Sequence, residues 1–334
     1  MKKFGIAQRN FILISIKYKI KGRVIYEILK GTFITEYYHK YKKRINENKL
    51  IKKMYIYIEL IKPKKTSFFW LNALAGSIIT SALFNNVLDT ISAIFAIGFV
   101  TYSIYIINDI CDEDIDCINK PSRPIPSKRI SKTEAKILSI ILIIFGFAFV
   151  VNLNRITFSM VIAHLVLGLA YSVKPLRLKK GLLANPCMAL GTTTSIMCGA
   201  STFQLNAQVI FAAISMFFFV CICGYGKDLK DVEGDRRNNI KTLPVIIGED
   251  NTIKLFTLTS TLSFLLFFSG YYLVSYNISY LILLIIATII YYKNIVVMWK
   301  NPHDHVIYEK AFNRLISSSI IILLSFMFGA IKIS

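Results

Sequence analysis

The sequence has few of the residues that metal-binding and catalytic domains of soluble proteins use most. Its 334 residues include 4 His, 6 Cys and 2 Trp, and 19 Asp and Glu stand against 40 Lys and Arg. The cysteines show none of the paired spacings of a zinc site, and the histidines are scattered, which argues against a zinc module. No apolar run followed by a small-residue cleavage site stands near the start, so no signal peptide is expected.

Apolar residues are abundant and occur in long stretches. They make up 54% of the chain, and the mean hydropathy is +0.54. Stretches of about 20 apolar residues suit a membrane-spanning helix, whereas a membrane β-barrel shows alternation over about ten residues. The sequence therefore predicts an all-α integral membrane protein. We expect nine transmembrane helices, over residues 66–84, 87–108, 134–152, 155–172, 182–204, 206–226, 253–275, 277–299 and 311–331.

The basic residues are distributed unevenly. Residues 1–65 hold 18 Lys and Arg against 4 Glu, and most other basic residues lie in every second loop between apolar stretches. This alternation indicates a cytoplasmic N-terminus and explains the net charge of +21 through membrane topology, so no nucleic-acid partner is expected. Residues 1–60 are predicted to be a basic amphipathic extension, interfacial or partly disordered, and residues 61–334 the transmembrane domain.

Two acidic clusters lie at the ends of predicted spans. The first acidic cluster comprises Asn108, Asp109, Asp112 and Asp116, and the second comprises Asp228, Asp231 and Asp235. The aspartates of both are spaced by three and then four residues, which places them on one face of a helix. A solvated loop is the ordinary explanation for a charge run and suits their neighbours Glu113, Asp114 and Glu233. Ionisable residues at membrane depth are more often functional. Four predicted crossings separate the clusters, so both should face the cytoplasm.

The clusters and their basic neighbours indicate a metal and phosphate chemistry. Converging carboxylates repel one another unless cations join them, and Mg²⁺ is commonly shared between carboxylates and a substrate phosphate. Lysines and arginines in the adjoining cytoplasmic loops could bind that phosphate. A diphosphate at the membrane face below an apolar cavity indicates an isoprenoid diphosphate. Aromatic side chains near the helix ends, Tyr105 and Tyr171 among them, could line the cavity and shelter an allylic cation.

The motifs resemble those of the UbiA superfamily of intramembrane prenyltransferases. The resemblance rests on N-D-x-x-D-x-x-x-D from Asn108 to Asp116, followed by K-P-x-R-P-I-P from Lys120. It also rests on D-x-x-D-x-x-x-D from Asp228 to Asp235, and on the Tyr171 to Lys179 loop between the two motifs. It covers about residues 56–334. The family implies a helical bundle around a central cavity, here expected as two four-helix pseudo-repeats plus one helix.

The resemblance also implies functional residues. It implies Mg²⁺-dependent transfer of a polyprenyl group from an isoprenoid diphosphate to a hydrophobic acceptor within membrane lipid, with catalytic roles for Asp112, Asp116, Asp231 and Asp235. The implied magnesium ligands are Asn108, Asp109, Asp112, Asp116, Asp228, Asp231 and Asp235. The implied diphosphate contacts are Lys120, Arg123, Lys174, Arg177 and Lys179, and the prenyl pocket would include Tyr105 and Tyr171.

The acceptor stays open at the level of sequence. The motif regions are most similar to enzymes that join geranylgeranyl chains to glycerol-phosphate lipids, and the Tyr171 to Lys179 loop also resembles that of chlorophyll synthases and homogentisate prenyltransferases. Two other classes of function remain as alternatives. One is an ion-coupled transporter that uses intramembrane carboxylates, and the other is an inactive membrane scaffold.

Overall fold

The chain is helical wherever its structure is described. The computed structural model describes residues 49–237 and 240–331, and these residues form helices and turns without a strand. Packing divides the chain into two compact units, residues 1–67 and 68–334. In the first unit, helix α1 (Lys49–Ile61) buries Ile56 and Leu60 one turn apart and exposes Lys52 on another face. Residues 1–48 lie outside the described residues, so the interfacial extension stays a prediction.

The boundary between the two units falls within the residues of helix α2 (Pro63–Ile79), and the second unit contains the remaining helices. In chain order these are α3 (Ala82–Asn85), α4 (Val87–Cys111), α5 (Glu113–Asn119), α6 (Lys132–Val150), α7 (Arg155–Ser172), α8 (Ala184–Ala200), α9 (Ala207–Arg237), α10 (Leu243–Ile247), α11 (Glu249–Leu273), α12 (Ile278–Lys300) and α13 (His305–Ala330). A single 3-10 turn, Leu178–Lys180, lies between α7 and α8.

Seven of the described helices are long and apolar enough to cross a membrane: α4, α6, α7, α9, α11, α12 and α13. The other two predicted spans coincide with shorter helices, α2 and α8, of 17 residues each. The predicted span 66–84 is divided, because α2 ends at Ile79 and Ser81 adopts a left-handed conformation with φ 59° before α3 begins. The chain is thus an all-helical membrane protein, and the count of nine crossings stays a prediction.

The surface of α6 shows why these helices suit a membrane. The apolar side chains of Ile137, Ile140, Ile141 and Ile144 are exposed along one face. The small residue Gly146 and others on the opposite face are buried against α4. In water such an apolar outer stripe would be unfavourable, whereas lipid tails accept it.

Close helix packing in the second unit depends on small residues. A Cβ atom on Gly199 of α8 would lie 1.8 Å from the carbonyl oxygen of Ala73 on α2, and one on Gly76 would lie 1.9 Å from the carbonyl oxygen of Ile196. Small residues let membrane helices bring their backbones together, and dispersion forces then hold them. The contact fixes α8, whose first turn approaches the second acidic cluster.

Polar residues define where several helices begin. The side chains of Ser131, Asn154, Asn277 and Asp304 accept hydrogen bonds from backbone N–H groups in the first turns of α6, α7, α12 and α13, respectively. These N–H groups have no partner within the helix, so each cap contributes about 1 kcal/mol. The caps therefore fix where α6, α7, α12 and α13 begin and where the loops before them end.

Candidate functional site

The first acidic cluster crosses a junction between two helices. α4 ends at Cys111, Asp112 has a φ of −101°, and α5 begins at Glu113. The backbone N–H of Asp112 donates to the carbonyl oxygen of Asn108 at 3.0 Å, and that of Asp116 donates to Asp112 at 2.8 Å. The i to i+4 backbone hydrogen bonds therefore continue through the junction, although α4 and α5 are separate helices.

One arginine connects two carboxylates of this cluster. Arg123 Nη1 lies 3.1 Å from Asp109 Oδ1 and also forms an ion pair with Asp116 Oδ2. Both aspartates are buried. Arg123 lies in the turn after α5, where Pro124 and Ile125 are buried and anchor the loop. A buried carboxylate needs a counter-ion or hydrogen-bond donors, and this turn supplies a cation to two of them.

The loop after α7 supplies two more cations. Arg177 Nη2 donates to Asp112 Oδ1 at 3.1 Å and to the carbonyl oxygen of Cys111 at 3.0 Å. Lys179 also pairs with Asp112 Oδ1. Burial lowers the pKa of the Lys179 ammonium group below its ordinary value, while the Asp112 carboxylate acts in the opposite direction. Three cationic side chains thus converge on the first acidic cluster from two loops.

Asn108 joins this network from α4. In one of its two amide orientations, its nitrogen donates to Asp112 Oδ2 at 3.2 Å, and its oxygen accepts from Lys179 Nζ at 3.2 Å and Ser172 Oγ at 3.0 Å. The side chain therefore contacts an anion and a cation at once. Ser172, the last residue of α7, was not predicted as a site residue.

The second acidic cluster lies on an unbroken helix. α9 has 31 residues and is therefore about 46 Å long. The hydrocarbon core of a bilayer is about 30 Å thick, so this helix exceeds it by several turns. Asp228, Asp231 and Asp235 occupy its last three turns. These three aspartates lie on one face of α9, as their spacing predicts.

Neutral donors hold two carboxylates of the second cluster. Asn185 Nδ2 on α8 donates to Asp228 Oδ2 at 3.1 Å, and Thr242 Oγ1 donates to Asp235 Oδ2 at 3.1 Å. Asp228 is buried, whereas Asp231 is half-buried and pairs with a lysine of its own helix, Lys230, at 2.6 Å. Lys227 also lies 3.9 Å from Asp231 Oδ2. Neutral donors therefore hold Asp228 and Asp235, whereas lysines of the same helix pair with Asp231.

One tyrosine lies within electrostatic range of both clusters, and a second lies within range of the first. The Tyr171 hydroxyl is close enough to interact electrostatically with Asp112 of the first cluster and with Asp228 and Asp235 of the second. Tyr105 interacts in the same way with Tyr171 and Asp109. The fold thus brings both clusters to one region, although their motifs are 119 residues apart.

A cavity of about 180 Å³ opens beside the second cluster. Its polar lining is Asn185, Asp228 and Thr242, and its other lining residues are Gly181, Leu182, Tyr225 and Leu243. No Lys or Arg is among these lining residues. The cavity combines a carboxylate with apolar walls, which suits a polar group attached to an apolar chain.

The remaining predicted residues lie at the edges of this site or outside it. Lys120 and Lys174 are exposed. Trp70 on α2 belongs to a separate aromatic group, with ring-centroid distances of 5.3 Å to Phe95 and 5.7 Å to Tyr102. Phe95 of this group is partly exposed on the apolar surface of α4.

Asn185 was not predicted as a site residue, although its position in the sequence indicates a functional contact. An amide near the start of an apolar stretch is unfavourable in hydrocarbon unless it has a hydrogen-bond partner. Like an intramembrane charge, it therefore indicates a buried polar partner or a functional site. His164 shows the structural outcome of such a residue. Its ring nitrogens lie 2.9 Å from Thr101 Oγ1 and 3.0 Å from Thr194 Oγ1, so it is a buried polar contact between helices.

The donor set suits magnesium in its chemistry. Carboxylate and amide oxygens are the ligands that Mg²⁺ prefers, and Mg²⁺ commonly uses one or two carboxylates, water and a substrate phosphate. Within residues 49–237 and 240–331, no three His, Cys, Asp or Glu residues lie together closely enough to hold an ion by themselves. A site completed by a substrate phosphate agrees with both observations.

Comparison with known proteins gives consistent matches. The family model of the UbiA prenyltransferase family matches residues 69–314. The chain is 34% identical over 241 residues to a digeranylgeranylglyceryl phosphate synthase from Saccharolobus solfataricus, covering 70% of this chain and 83% of the relative. It is 28% identical over 288 residues to the enzyme of that name from Methanocaldococcus jannaschii, covering 85% of this chain and 99% of the relative.

Solved structures agree with the sequence matches. A structure of digeranylgeranylglyceryl phosphate synthase in membranes superposes with a TM-score of 0.70 at 28% identity, covering 84% of this chain and all of that chain. A UbiA homologue from Archaeoglobus fulgidus, solved with GPP and Mg²⁺, has the same fold, with a TM-score of 0.62 at 19% identity over 83% of this chain and 100% of that chain. The protein therefore belongs to the UbiA prenyltransferase family and is an integral membrane prenyltransferase.

Proposed function

We propose that this protein transfers a geranylgeranyl group from its diphosphate to a hydroxyl group of a geranylgeranylglyceryl phosphate lipid. The proposal of a diphosphate as prenyl donor rests on one observation. Three cationic side chains, those of Arg123, Arg177 and Lys179, converge on the carboxylates of the first acidic cluster. The acceptor half is supported by the similarity to relatives whose named product bears two geranylgeranyl chains on glyceryl phosphate.

The three cations have two roles in this proposal. Without substrate they neutralise Asp109, Asp112 and Asp116. When a diphosphate binds, they exchange carboxylate oxygens for phosphate oxygens, for which the planar guanidinium groups are especially suited. The carboxylates that they leave become available to a divalent cation. Exposed Lys120 and Lys174 are proposed to meet the diphosphate at the rim of the site.

The reaction then proceeds by substitution at the allylic carbon. The bond between that carbon and the diphosphate oxygen breaks, and the diphosphate leaves with the electron pair. The acceptor hydroxyl oxygen attacks the allylic cation, an ether bond forms, and the hydroxyl proton passes to an oxygen of the departed diphosphate. Tyr105 and Tyr171 interact electrostatically with aspartates of this site and are proposed to line the prenyl pocket, where aromatic faces stabilise the cation and the apolar surroundings exclude water.

Magnesium is proposed as the cofactor because the site offers oxygen ligands beside cations that bind phosphate. Bound Mg²⁺ would supply positive charge that stabilises the departing diphosphate. The residues proposed to hold it are Asn108, Asp109, Asp112, Asp116, Asp228, Asp231 and Asp235, of which Asp112, Asp116, Asp231 and Asp235 are the proposed catalytic set.

The proposed topology has nine crossings, with α2 and α8 completing the seven longer spans. Both acidic clusters and the N-terminus would face the cytoplasm, and the helices would form two four-helix pseudo-repeats plus one helix around the site. The alternation of basic loops supports this orientation. Helices of 17 residues are at the lower end of the length that spans a bilayer.

A transfer assay with the purified full-length protein tests the proposed function. Labelled geranylgeranyl diphosphate and Mg²⁺ are supplied with geranylgeranylglyceryl phosphate, homogentisate or a tetrapyrrole acid in parallel. We expect label only in the glyceryl phosphate lipid. Asp112→Asn and Asp231→Asn should each lower the rate by about 100-fold or more, because each removes an anionic ligand of the Mg²⁺ whose charge would stabilise the departing diphosphate.

Asp114→Asn is the matched control, since Asp114 is exposed and belongs to the same segment as Asp112. It should retain the wild-type rate within about threefold, as expected for a surface change. Transfer to homogentisate or to the tetrapyrrole in preference to the lipid would overturn the proposed acceptor. Full activity in both Asp112→Asn and Asp231→Asn would overturn the two-cluster mechanism.

A further inference from the structure

Asn185 contacts the second acidic cluster without belonging to either motif. It lies in the first turn of α8, and its amide nitrogen donates to Asp228 Oδ2 at 3.1 Å. Asp228 is buried on α9. The contact joins residues 43 positions apart, so it depends on how the two helices pack.

The position of the Asn185 amide depends on a glycine of α9, Gly224, which has no side chain. A Cβ atom on Gly224 would lie 2.1 Å from Asn185 Cγ and 2.2 Å from Asn185 Oδ1, far inside van der Waals contact. Gly224 precedes Asp228 by four residues, so both lie on the same face of α9. The amide therefore rests directly on the backbone at Gly224 and reaches Asp228 one turn further along.

The chemical nature of this donor matters. A lysine or arginine at this point would neutralise the carboxylate, as Arg123 does for Asp116 in the first cluster. A neutral amide fixes the orientation of Asp228 and leaves its negative charge in place. It occupies one carboxylate oxygen only, and Asp228 also lines the cavity of about 180 Å³ together with Asn185.

We propose that Asn185 is a positioning residue that orients Asp228 toward the divalent cation bound with the isoprenoid diphosphate, and that Gly224 provides the space for its amide. The inference rests on the proposed function for the presence of a metal and a diphosphate, and it is independent of the acceptor. Hydrogen-bond partners of metal ligands orient them, and removal of such a partner typically weakens metal binding by about 10- to 100-fold.

The test measures metal binding without catalysis. Full-length protein in detergent is mixed with geranylgeranyl diphosphate and no acceptor, and its thermal midpoint is followed as Mg²⁺ is added, since a ligand of the folded state raises that midpoint. Asn185→Leu keeps the volume and removes the donor. We expect it to require about 10- to 100-fold more Mg²⁺ than wild type for half of the shift. The half-saturating concentration of the diphosphate at saturating Mg²⁺ should stay within about threefold of wild type.

Two further variants make the result decisive. Gly224→Ala on α9 adds a methyl group that pushes the Asn185 amide on α8 out of its position, so it should also raise the Mg²⁺ requirement. If Asn185→Leu does not fold, Gly224→Ala provides the test. Thr193→Val is the control, since Thr193 lies on the same helix and its hydroxyl bonds only to backbone carbonyls. It should leave the Mg²⁺ requirement unchanged.

An unchanged Mg²⁺ requirement in Asn185→Leu, or in Gly224→Ala where only that variant folds, would overturn the inference. So would a wild-type midpoint that does not respond to Mg²⁺. Neither result concerns the acceptor, whereas label on the wrong acceptor in the transfer assay would overturn the proposed function and leave this inference intact.

Discussion

Arg123 joins two carboxylates that are almost completely removed from solvent. A single nitrogen, Nη1, contacts both Asp109 and Asp116, so the guanidinium acts here largely as a point charge. An ion pair in this setting adds little net stability, but loss of one partner leaves the other charge without compensation. The side chain of Arg123 is 21% exposed, and water reduces that penalty.

This geometry predicts a graded response to substitution of Arg123. Arg123→Gln should raise the half-saturating concentration of the isoprenoid diphosphate by about 10-fold or more, because a charged hydrogen bond to phosphate is lost. Arg123→Lys should fall between Gln and wild type, since a lysine supplies the charge without the planar fork. Steady-state kinetics at saturating Mg²⁺ measures both.

Arg129→Gln is the matched control for this series. Arg129 is exposed in the same loop, and its guanidinium donates to Ser127 Oγ at 3.0 Å and to the carbonyl oxygen of Ser122. Its diphosphate requirement should equal that of wild type. Equal requirements in Arg123→Gln and wild type would remove Arg123 from the proposed diphosphate site.

The sequence predicted the aspartates of the site, but it predicted fewer of the residues that form hydrogen bonds and ion pairs with them. Aspartates at the ends of apolar stretches are conspicuous, because such placement is unfavourable without a function. The amide of Asn185 near the start of an apolar stretch indicates that it needs a polar partner, but only the packing of α8 against α9 shows that this partner is Asp228. The difference between exposed Lys174 and half-buried Lys179 likewise depends on how one loop folds back.

At the scale of helices, the close approach of α2 and α8 fixes the position of α8 and therefore of Asn185 beside the second acidic cluster. The backbone of Ala73 meets that of Gly199 with no space for a methyl group. The close contact holds α8, which carries Asn185 in its first turn. Gly234 on α9 offers a contrast, since a Cβ atom there would meet nothing within 4 Å.

These two glycines predict opposite effects of the same substitution. Gly199→Ala should destabilise the protein by about 1–3 kcal/mol, as overpacking does. Gly234→Ala should stabilise it by about 0.5–1 kcal/mol, because alanine restricts the unfolded chain and favours the helix. Thermal unfolding in detergent compares the midpoints. A midpoint for Gly199→Ala at or above that of wild type would contradict the close contact.

The two acidic clusters show how far a sequence pattern predicts a helical element. Both have the same spacing, yet α9 continues through its cluster while α4 ends within the first one, at Cys111. The spacing predicts which carboxylates share a face and is satisfied by both arrangements. Where the helix ends depends on the junction with α5 and on the loops that supply cations to Asp112, which spacing does not encode.

At the scale of the whole molecule, the distribution of basic residues predicts the orientation in the membrane. Cys117 follows Asp116 directly and is exposed, so it reports the side on which the first acidic cluster lies. In a variant with Cys117 as the only cysteine, an impermeant maleimide should label inverted vesicles and spare right-side-out vesicles. The reverse is expected for Gln204→Cys in a cysteine-free background, because this exposed residue lies in a loop without basic residues.

Lysed vesicles, in which both sites are accessible, are the control for reactivity. Labelling of Cys117 in right-side-out vesicles would contradict the proposed cytoplasmic active site. Labelling of both positions from the same side would contradict the proposed number of crossings between residues 117 and 204.

The sequence by itself determined the membrane environment, the helical class and the family. These follow from composition, from apolar stretches of membrane length and from motifs in which each residue type is chemically necessary, and all of them are local properties of the chain. Tertiary structure decided which donors each carboxylate meets. Arg123 reaches Asp116 through a turn, whereas Asn185 reaches Asp228 only because Gly224 leaves space between two helices. Contacts across a bundle depend on helix packing, and no local pattern records them.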